Sequence, residues 1–554
     1  MKTKIFLLLT FITTYSYSQS NYLKEIEKVN TLFTRWNHSK SPGAAVGIIK
    51  EGKLLYAKGY GLANLEHEIP NTIKTSFNIA SNSKQFTAAS IVLLSQRKKL
   101  DLNQTLSSFY PNFPDYAKEI TIKNLLYHTS GLRDFSQITY LSGLRPDDYY
   151  NDEDILKWLT SQKKLNFKPG EKHLYCNSGY WLLGQIVKKV SKMSLGEFAK
   201  KELFNPLNMS NTQFLNNNTM VIKHRASGYC QNRSGEFRNI ITTLEHTGNG
   251  GIYTTVEDLK KWDDEFYNRK ILNDEFWKLM TTNGVLNNGT KIDYAGALFV
   301  KKYKGLQIID HGGRAPGFKS NIVRFPEQKF TVIVCTNVSN ANAIPLSYQI
   351  ADIFLNEDFI VPKKKTVSRK KRKYIKVATK KMKNFEGSYW NSKDNYSRKI
   401  ILKNDTLRYA RSRRNSNILL PINKNEFIML NTPPGLEILV KFKSNGTMLF
   451  VENGKEVANF NSYQPVKYTS NDLQLFFGEY YSDEIDTNYS FKMYRNTIFL
   501  FINGKQTVPL RPIMENLFSS PLGLFKFERN DKNEIVGFNV STPRVKELHF
   551  IKQR

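Results

Sequence analysis

Phe77-Asn-Ile-Ala-Ser81-Asn-Ser-Lys84-Gln-Phe-Thr-Ala-Ala-Ser-Ile-Val-Leu-Leu94 is the stretch on which the reading turns. Its apolar residues recur at helical spacing and predict a helix over Ala80–Leu94. Ser81 and Lys84 fall at the start of that helix, three residues apart, and so share one face. A lysine placed there can reach the serine hydroxyl, and a neutral or depressed-pKa amine can take its proton. Alone, Ser-x-x-Lys also describes an ordinary solvated serine and lysine, so the reading depends on what else converges on it.

Two further elements do. Leu174-Tyr175-Cys-Asn177-Ser-Gly-Tyr180 is a polar loop that leads into a predicted helix, Trp181–Val190. A phenol at Tyr175 can carry a proton beside a Ser/Lys pair, and the Asn177 amide can orient a carbonyl; the plainer reading is a core tyrosine and a turn asparagine. Asp310-His311-Gly312-Gly313-Arg314-Ala-Pro-Gly-Phe318 follows an apolar strand. Glycines there let a substrate backbone lie close to a strand edge. His311 supplies a tunable donor or charge.

Outward from these motifs, Ala45-Val-Gly-Ile-Ile49, the turn Glu51-Gly52 and Leu54–Ala57 predict a hairpin. A mostly helical middle follows, with Asp154–Leu159 among its helices. From Leu298 strands return, punctuated by Lys304-Gly305 and by Pro326-Glu327-Gln328 between Ser320–Phe325 and Phe330–Thr336. A helix over about Ala343–Leu355 ends the region. Strands at both ends with helices between predict one sheet built from the two termini around a helical insert.

Taken in order and spacing, the three motifs resemble those of the serine penicillin-recognising enzymes: the class C β-lactamase, D-Ala-D-Ala carboxypeptidase, D-aminopeptidase and esterase branch. Asn124-Leu-Leu-Tyr-His128-Thr-Ser-Gly131-Leu132 is similar to the family's "LLxHTSGL" stretch. Gly248-Asn-Gly-Gly-Ile-Tyr-Thr-Thr255 with Asp258-Leu259 and Trp262 is similar to another. The resemblance runs from about Ala44 to Leu355. It implies an α/β catalytic domain, an antiparallel sheet plus a helical subdomain. It also implies roles. Ser81 would form an acyl-enzyme, Lys84 and Tyr175 would share general-base work, and the backbone N–H groups of Ser81 and Arg314 would form the oxyanion hole. Asn177 would contact the substrate amide or the lysine. His311, Gly312 and Gly313 would line the substrate site, and His128 would be scaffold. His-Gly-Gly replaces the Lys-Thr-Gly common in β-lactamases. A histidine of reference pKa ~6.5 carries only partial charge at neutral pH, and Gly312 brings no hydroxyl. Both departures weaken the case for substrates ending in a free carboxylate, although Arg314 could restore charge. The His-Gly-Gly form is similar to that of D-aminopeptidases, which also carry two C-terminal β-barrel domains; esterases remain equally open.

The chain has 554 residues, enough for several domains. After Phe359, Pro362-Lys-Lys-Lys365 and Arg369-Lys-Lys-Arg-Lys373 read as a basic linker, about 361–380. Beyond it, Phe385-Glu-Gly387-Ser-Tyr389 matches Phe476-Phe-Gly478-Glu-Tyr480 at an offset of 91, and Pro421-Ile422 with Phe427 matches Pro512-Ile513 with Phe518 at the same offset. Alternating strands and Asn-Gly turns predict two small antiparallel β-barrel-like repeats, 381–465 and 470–554. Pro512–Pro521, with an apolar Leu517-Phe518 tip, reads as a long interruption between strands. The expected division is thus a signal peptide over 1–18, a hydrolase domain over 21–360, the linker and two repeats.

Lys2, Lys4, the apolar stretch Ile5–Thr14 and small Ser16 and Ser18 before Gln19 form a signal-peptide pattern. Secretion or periplasmic location is expected, with no transmembrane segment after cleavage. The net charge is +32, from 81 basic and 49 acidic residues. No nucleic-acid-binding motif accompanies it, so it reads as solvated surface and linker, and no nucleic-acid partner is expected. Cys176, Cys230 and Cys335 allow at most one internal disulfide, and Cys335 reads as a core residue. No HExxH or paired CxxC suggests a metal, and no cofactor is expected. The expectation is an exported serine hydrolase acting on an ester or amide, D-amino-acid peptides included, with a small-molecule or peptide substrate and cell-wall contact open. The rival reading is a catalytically inactive peptidoglycan- or β-lactam-sensing binding protein.

Overall fold

The computed structural model describes residues 22–554 except 146–147, 361–372, 413–414, 433–435 and 495–496. The signal-peptide pattern and most of the basic linker lie outside the described residues. The chain forms two compact units. The first takes residues up to Ile360 together with two short stretches from much later in the sequence, Ser482–Thr487 and Ser541–His549; the second takes the remainder.

The first unit is built on a six-stranded antiparallel sheet. Its strands are β1 (Ala44–Lys50), β2 (Lys53–Tyr60), β3 (Phe299–Tyr303), β4 (Leu306–Ala315), β5 (Phe318–Phe325) and β6 (Phe330–Thr336), in the order β3-β4-β5-β6-β1-β2. Both ends of the region supply strands, and β1 pairs with β6 from Ala44↔Thr336 to Lys50↔Phe330. The hairpins follow from turn chemistry. Glu51 and Gly52 adopt φ of 51° and 73°, the left-handed pair that a two-residue turn needs to match strand twist.

The central strands are apolar on both faces because both faces are covered. Ala44, Val46, Ile48, Val332 and Val334 join Val29 and Phe33 of α1 (Leu23–Phe33) in one core. Ala45, Ile49, Ile333 and Cys335 join the helical side in another, with Phe86 of α2 (Lys84–Gln96) and Trp262. Each valine, isoleucine or phenylalanine among them contributes roughly 1.5–3 kcal/mol on burial. Helix α2 is buried from Lys84 through Leu94, so it carries no polar face. The predicted helix over Ala80–Leu94 is in fact a single 3₁₀ turn, Ala80–Ser83, followed by α2. The helix after Tyr175 begins earlier than predicted, as α3 (Asn177–Ser191). All three cysteines are free thiols.

The second unit contains the tandem repeat. Eight strands from Gly387–Asn391 to Lys455–Tyr463 close into a barrel, first strand pairing with last at Ser388↔Tyr463. Nine strands from Gly478–Ser482 to Leu548–Lys552 form a nearly closed sheet whose first and last strands pair at Tyr480↔Lys552. Tyr389 Oη donates to Phe385 O at 2.8 Å, and Tyr480 Oη donates to Phe476 O at 3.0 Å, so the offset of 91 is a repeat of one local structure. The segment 512–521 corrects its sequence reading. Strands Arg511–Met514 and Leu517–Ser520 turn on Asn516 at a φ of 56°, and Phe518 is buried in the sheet's core rather than forming a tip. Asparagine tolerates that backbone, and the turn was hidden by its neighbours' apolar character.

Candidate active site

Ser81 sits on the 3₁₀ turn just before α2. Ala80 ahead of it is left-handed, with a φ of 51°, a conformation that costs a non-glycine residue on the order of 1 kcal/mol and is held by its surroundings. The Asn78 side chain accepts from Ala80 N–H at 2.8 Å. Ile79 N–H donates to Ile252 O at 3.0 Å, and Ile252 N–H donates to Ser83 Oγ at 3.0 Å. The short strands Phe77–Asn78 and Ile252–Thr254 that make this frame are too brief to register as sequence periodicity.

Strand β4 approaches the same turn. Its partner β3 covers only Leu306–Asp310, so His311–Ala315 runs on as an open edge on that side. A Cβ on Gly313 would stand 2.0 Å from the Ile79 carbonyl and 2.5 Å from Ser320 Oγ. One on Gly312 would meet Ile344 at 2.5 Å. These glycines therefore let the strand close on the Ser81 turn and on a helix. Packing is thus a second reason for glycine at these two positions, beside the room for substrate backbone expected from the sequence.

Lys84 is fully buried, and its Nζ has three neighbours: Ser81 Oγ at 3.2 Å, Asn177 Oδ1 at 3.0 Å and Asn249 O at 2.5 Å. A neutral amine satisfies all three, donating to Asn177 and Asn249 and presenting its lone pair to the serine. Burial lowers its pKa to about 7; Asp134 pulls it up, and Arg544 pushes it further down. The Tyr175 ring lies 4.9 Å from Nζ. Its hydroxyl is buried and faces Ser81 without reaching hydrogen-bond geometry, and burial raises its pKa well above the usual phenol range. Asn177, at the start of α3, donates its N–H to Asp134 Oδ2 at 2.8 Å and its Nδ2 to Ser136 Oγ at 3.1 Å. Ser81, Lys84, Tyr175 and Asn177 are thus brought together.

His311 lies apart from the role read for it. Its ring is 2% exposed, and burial lowers its pKa to about 3, so the partial positive charge expected from the reference value is absent. Sequence shows the residue type but not the desolvation. The ring instead ends a directed chain of hydrogen bonds. Cys176 N–H donates to His128 Nδ1 at 3.1 Å, which leaves His128 Nε2–H to donate to Tyr294 Oη at 3.1 Å. Tyr294 then donates to His311 Nε2 at 3.3 Å, and His311 Nδ1–H donates to Gly312 O at 2.7 Å. Both rings are neutral, and burial lowers His128 as well. His128 is scaffold, as its place in a fixed turn suggests.

A pocket of about 280 Å³ opens over the serine, at the small end of ligand sites. Ser81, Asn177, Tyr150, His246 and Arg314 line it, with Leu215 and Leu244 as an apolar wall. The described lining includes two cations, Arg145 and Arg314, and no carboxylate. Sequence reasoning missed Asp134, Tyr294 and His246. His246 holds Asn249 by a 3.0 Å contact to Oδ1, and Asn249 in turn supplies the carbonyl to Lys84. Asp134 lies just beyond the Asn124–Leu132 stretch and Asn249 inside the Gly248–Thr255 stretch, but nothing in the pattern marks what they touch.

The family model described as Beta-lactamase matches residues 29–353, more than half of the chain. The chain belongs to this family. Within the β-lactamase family it is similar to a D-aminopeptidase of Gluconobacter oxydans, 26% identical over 300 residues, which cover 54% of this chain and 56% of that protein. It therefore spans little more than half the length of that relative. It is also similar to penicillin-binding protein 4* of Bacillus subtilis, 26% identical over 444 residues, covering 77% of this chain and 97% of the relative. Among solved structures, a penicillin-binding protein of Bacillus halodurans matches with a TM-score of 0.52 and 26% identity, over 59% of this chain and all of that one. The β-lactamase-family fold thus accounts for the first unit. No helix among the described residues is long and apolar enough to cross a membrane.

Proposed function

We propose that this member of the β-lactamase family is a serine acyl hydrolase with Ser81 as nucleophile and Lys84 as general base. The observation that carries the reading is the buried Lys84 amine, 3.2 Å from Ser81 Oγ and held there by Asn177 Oδ1 at 3.0 Å and the Asn249 carbonyl at 2.5 Å. Ser81 gives its proton to the Nζ lone pair as Oγ adds to the substrate carbonyl. The N–H groups of Ser81 and Arg314, both on the pocket wall, stabilise the oxyanion. The resulting lysine ammonium returns the proton to the leaving group, and water then hydrolyses the acyl-enzyme. Tyr175, whose hydroxyl burial keeps protonated, acts as a donor rather than as the first base.

The likeness to a D-aminopeptidase supports an amide or ester of a D-amino acid as substrate. Arg314 and the absence of a carboxylate from the described lining favour an acyl group whose amine is blocked over one with a free ammonium; Arg145, also on the wall, is paired with Asp148. Export directed by residues 1–18, and the division into 21–360, 361–380, 381–465 and 470–554, belong to the same proposal. A panel of p-nitrophenyl esters, D-alanyl p-nitroanilide with and without an N-acetyl group, a D-Ala-D-Ala peptide and nitrocefin tests the activity. A fluorophosphonate adduct on Ser81, read by intact mass on protein secreted by its host, also reports whether the mature chain begins at Gln19. Turnover of at least one substrate and loss of the adduct in Ser81→Ala are expected. A stable adduct with no turnover of any substrate favours the sensing module instead.

A further inference from the structure

The first unit's active site includes a side chain from near the end of the sequence. Arg544 lies in the stretch Ser541–His549, which belongs to the first unit. Its guanidinium stands 5.0 Å from the centre of the Tyr175 ring, and Nη1 lies 3.5 Å from Asp134 Oδ2. The backbones meet as well: Asp134 N–H donates to Arg544 O at 3.2 Å. The stretch is fixed by side chains of the same unit. Asn166 Nδ2 donates to Arg544 O at 2.9 Å, and Asn166 Oδ1 accepts from Lys546 N–H at 2.8 Å. Arg133 Nη2 donates to the carbonyls of Lys546 and Glu547 at 2.7 and 3.0 Å. Its Nη1 pairs with Glu484 at 2.6 Å, both side chains being almost fully buried.

Asp134 is the reason that a cation is useful here. Its side chain is completely buried and holds Asn177 N–H and Ser136 N–H, at 2.8 and 2.9 Å. That carboxylate positions Asn177, which positions Lys84. Left alone, its charge would also bind a proton onto Lys84 and silence the base. We propose that Arg544 is a positioning residue of the reaction: seated between the Asp134 carboxylate and the Tyr175 ring, it balances the carboxylate's charge, so that Asp134 can hold Asn177 without holding Lys84 protonated.

The other groups around Lys84 do not supply that balance. His128, His246 and His311 are all kept neutral by burial. Tyr175 and Tyr180, whose rings flank Nζ at 4.9 and 5.6 Å, keep their protons, and burial pushes the Cys176 thiol up to about 12. Asp134 raises the lysine and Arg544 lowers it, in that order of size after burial itself.

The inference rests on Lys84 acting as base, and the test separates the two. Arg544→Gln and Arg544→Lys are compared with the intact protein for the pH dependence of Ser81 acylation and for the pH at which Lys84 deprotonates, read by NMR of ¹³C-lysine protein with Lys84→Arg to assign the signal. In Arg544→Gln the acid limb and the lysine titration both move to higher pH, by about one unit, so acylation near pH 7 falls ~5-fold and recovers in alkali. Arg544→Lys restores most of the shift. The backbone contacts that fix the stretch remain, so Arg544→Gln still folds, with a melting temperature lowered by the unpairing of buried Asp134 and restored in Arg544→Lys. An unmoved lysine titration in Arg544→Gln overturns the inference. So does a rise in KM at every pH with no shift in either profile, which would make Arg544 a substrate contact. A shifted lysine with a pH-independent acylation rate in the unaltered protein leaves the charge balance standing and refutes Lys84 as base.

Discussion

Lysine is an unpromising base, because at neutral pH its amine is almost always protonated. Lys84 escapes this by complete burial, which lowers its pKa to about 7. The sign of the effect on activity follows. Below that value the amine carries a proton and has no lone pair for Ser81, so kcat/KM should fall about tenfold for each unit of acidification and level off above pH ~8. Lys84→Ala should fold and lose ~10²-fold or more at the plateau. A stopped-flow acylation profile from pH 5 to 9 measures both, and a flat profile would remove Lys84 from the role. At this scale the sequence was informative where chemistry depends on neighbours three residues apart. Ser81 and Lys84, singled out on spacing alone, lie within 3.2 Å of each other, and Asn177 meets the same amine. For His311 the sequence showed the residue type but not the burial, because a reference pKa describes a solvated ring, and nothing local to Asp310-His-Gly-Gly313 announces that Tyr294 and Phe299 enclose it.

Elements were legible where turns carry their own chemistry. Glu51-Gly52 and Lys304-Gly305 marked hairpins that the sheet contains, and the strands between were long enough to show their apolar runs. The frame under Ser81 was not legible, since Phe77–Asn78 and Ile252–Thr254 are short and meet across a long separation. The link between the Tyr175 loop and β4 is of the same kind: it runs through His128, Tyr294 and His311, three residues from three elements. Tyr294→Phe cuts that chain in the middle. It removes the acceptor for His128 Nε2–H and the donor to His311 Nε2, both inside the protein. A buried polar group left unpaired costs about 1–3 kcal/mol. A loss of ~2 kcal/mol by urea unfolding is therefore expected, with an acid limb still near pH 7 because Lys84 keeps its three neighbours. Unchanged stability would show that the two rings find other partners.

At the scale of the molecule, the first unit is discontinuous. Residues up to Ile360 do not complete it; Ser482–Thr487 and Ser541–His549 also belong. A chain ending at Leu355 would leave Arg133 buried without Glu484. Removing one partner of a buried ion pair costs ~3–5 kcal/mol. Such a fragment should melt well below the full chain and should acylate poorly at neutral pH, having lost Arg544. Differential scanning calorimetry on the two proteins decides the first point, and a fragment as stable as the whole would contradict it. The linear division into a hydrolase region and later repeats could not anticipate this, because composition and periodicity describe neighbours in sequence and carry no trace of a partner 351 residues away.

That separation has a temporal meaning too. Ribosomes add about 5–20 residues per second. Arg133 is therefore made roughly 20–70 s before Glu484, 351 positions later, and Arg544 follows later still. Throughout that interval the nascent chain already contains its serine, lysine and tyrosine, yet lacks the cation that sets the lysine's proton. The first unit's sheet and helices thus emerge long before the segments that complete it, and Arg133 has no Glu484 to meet until then.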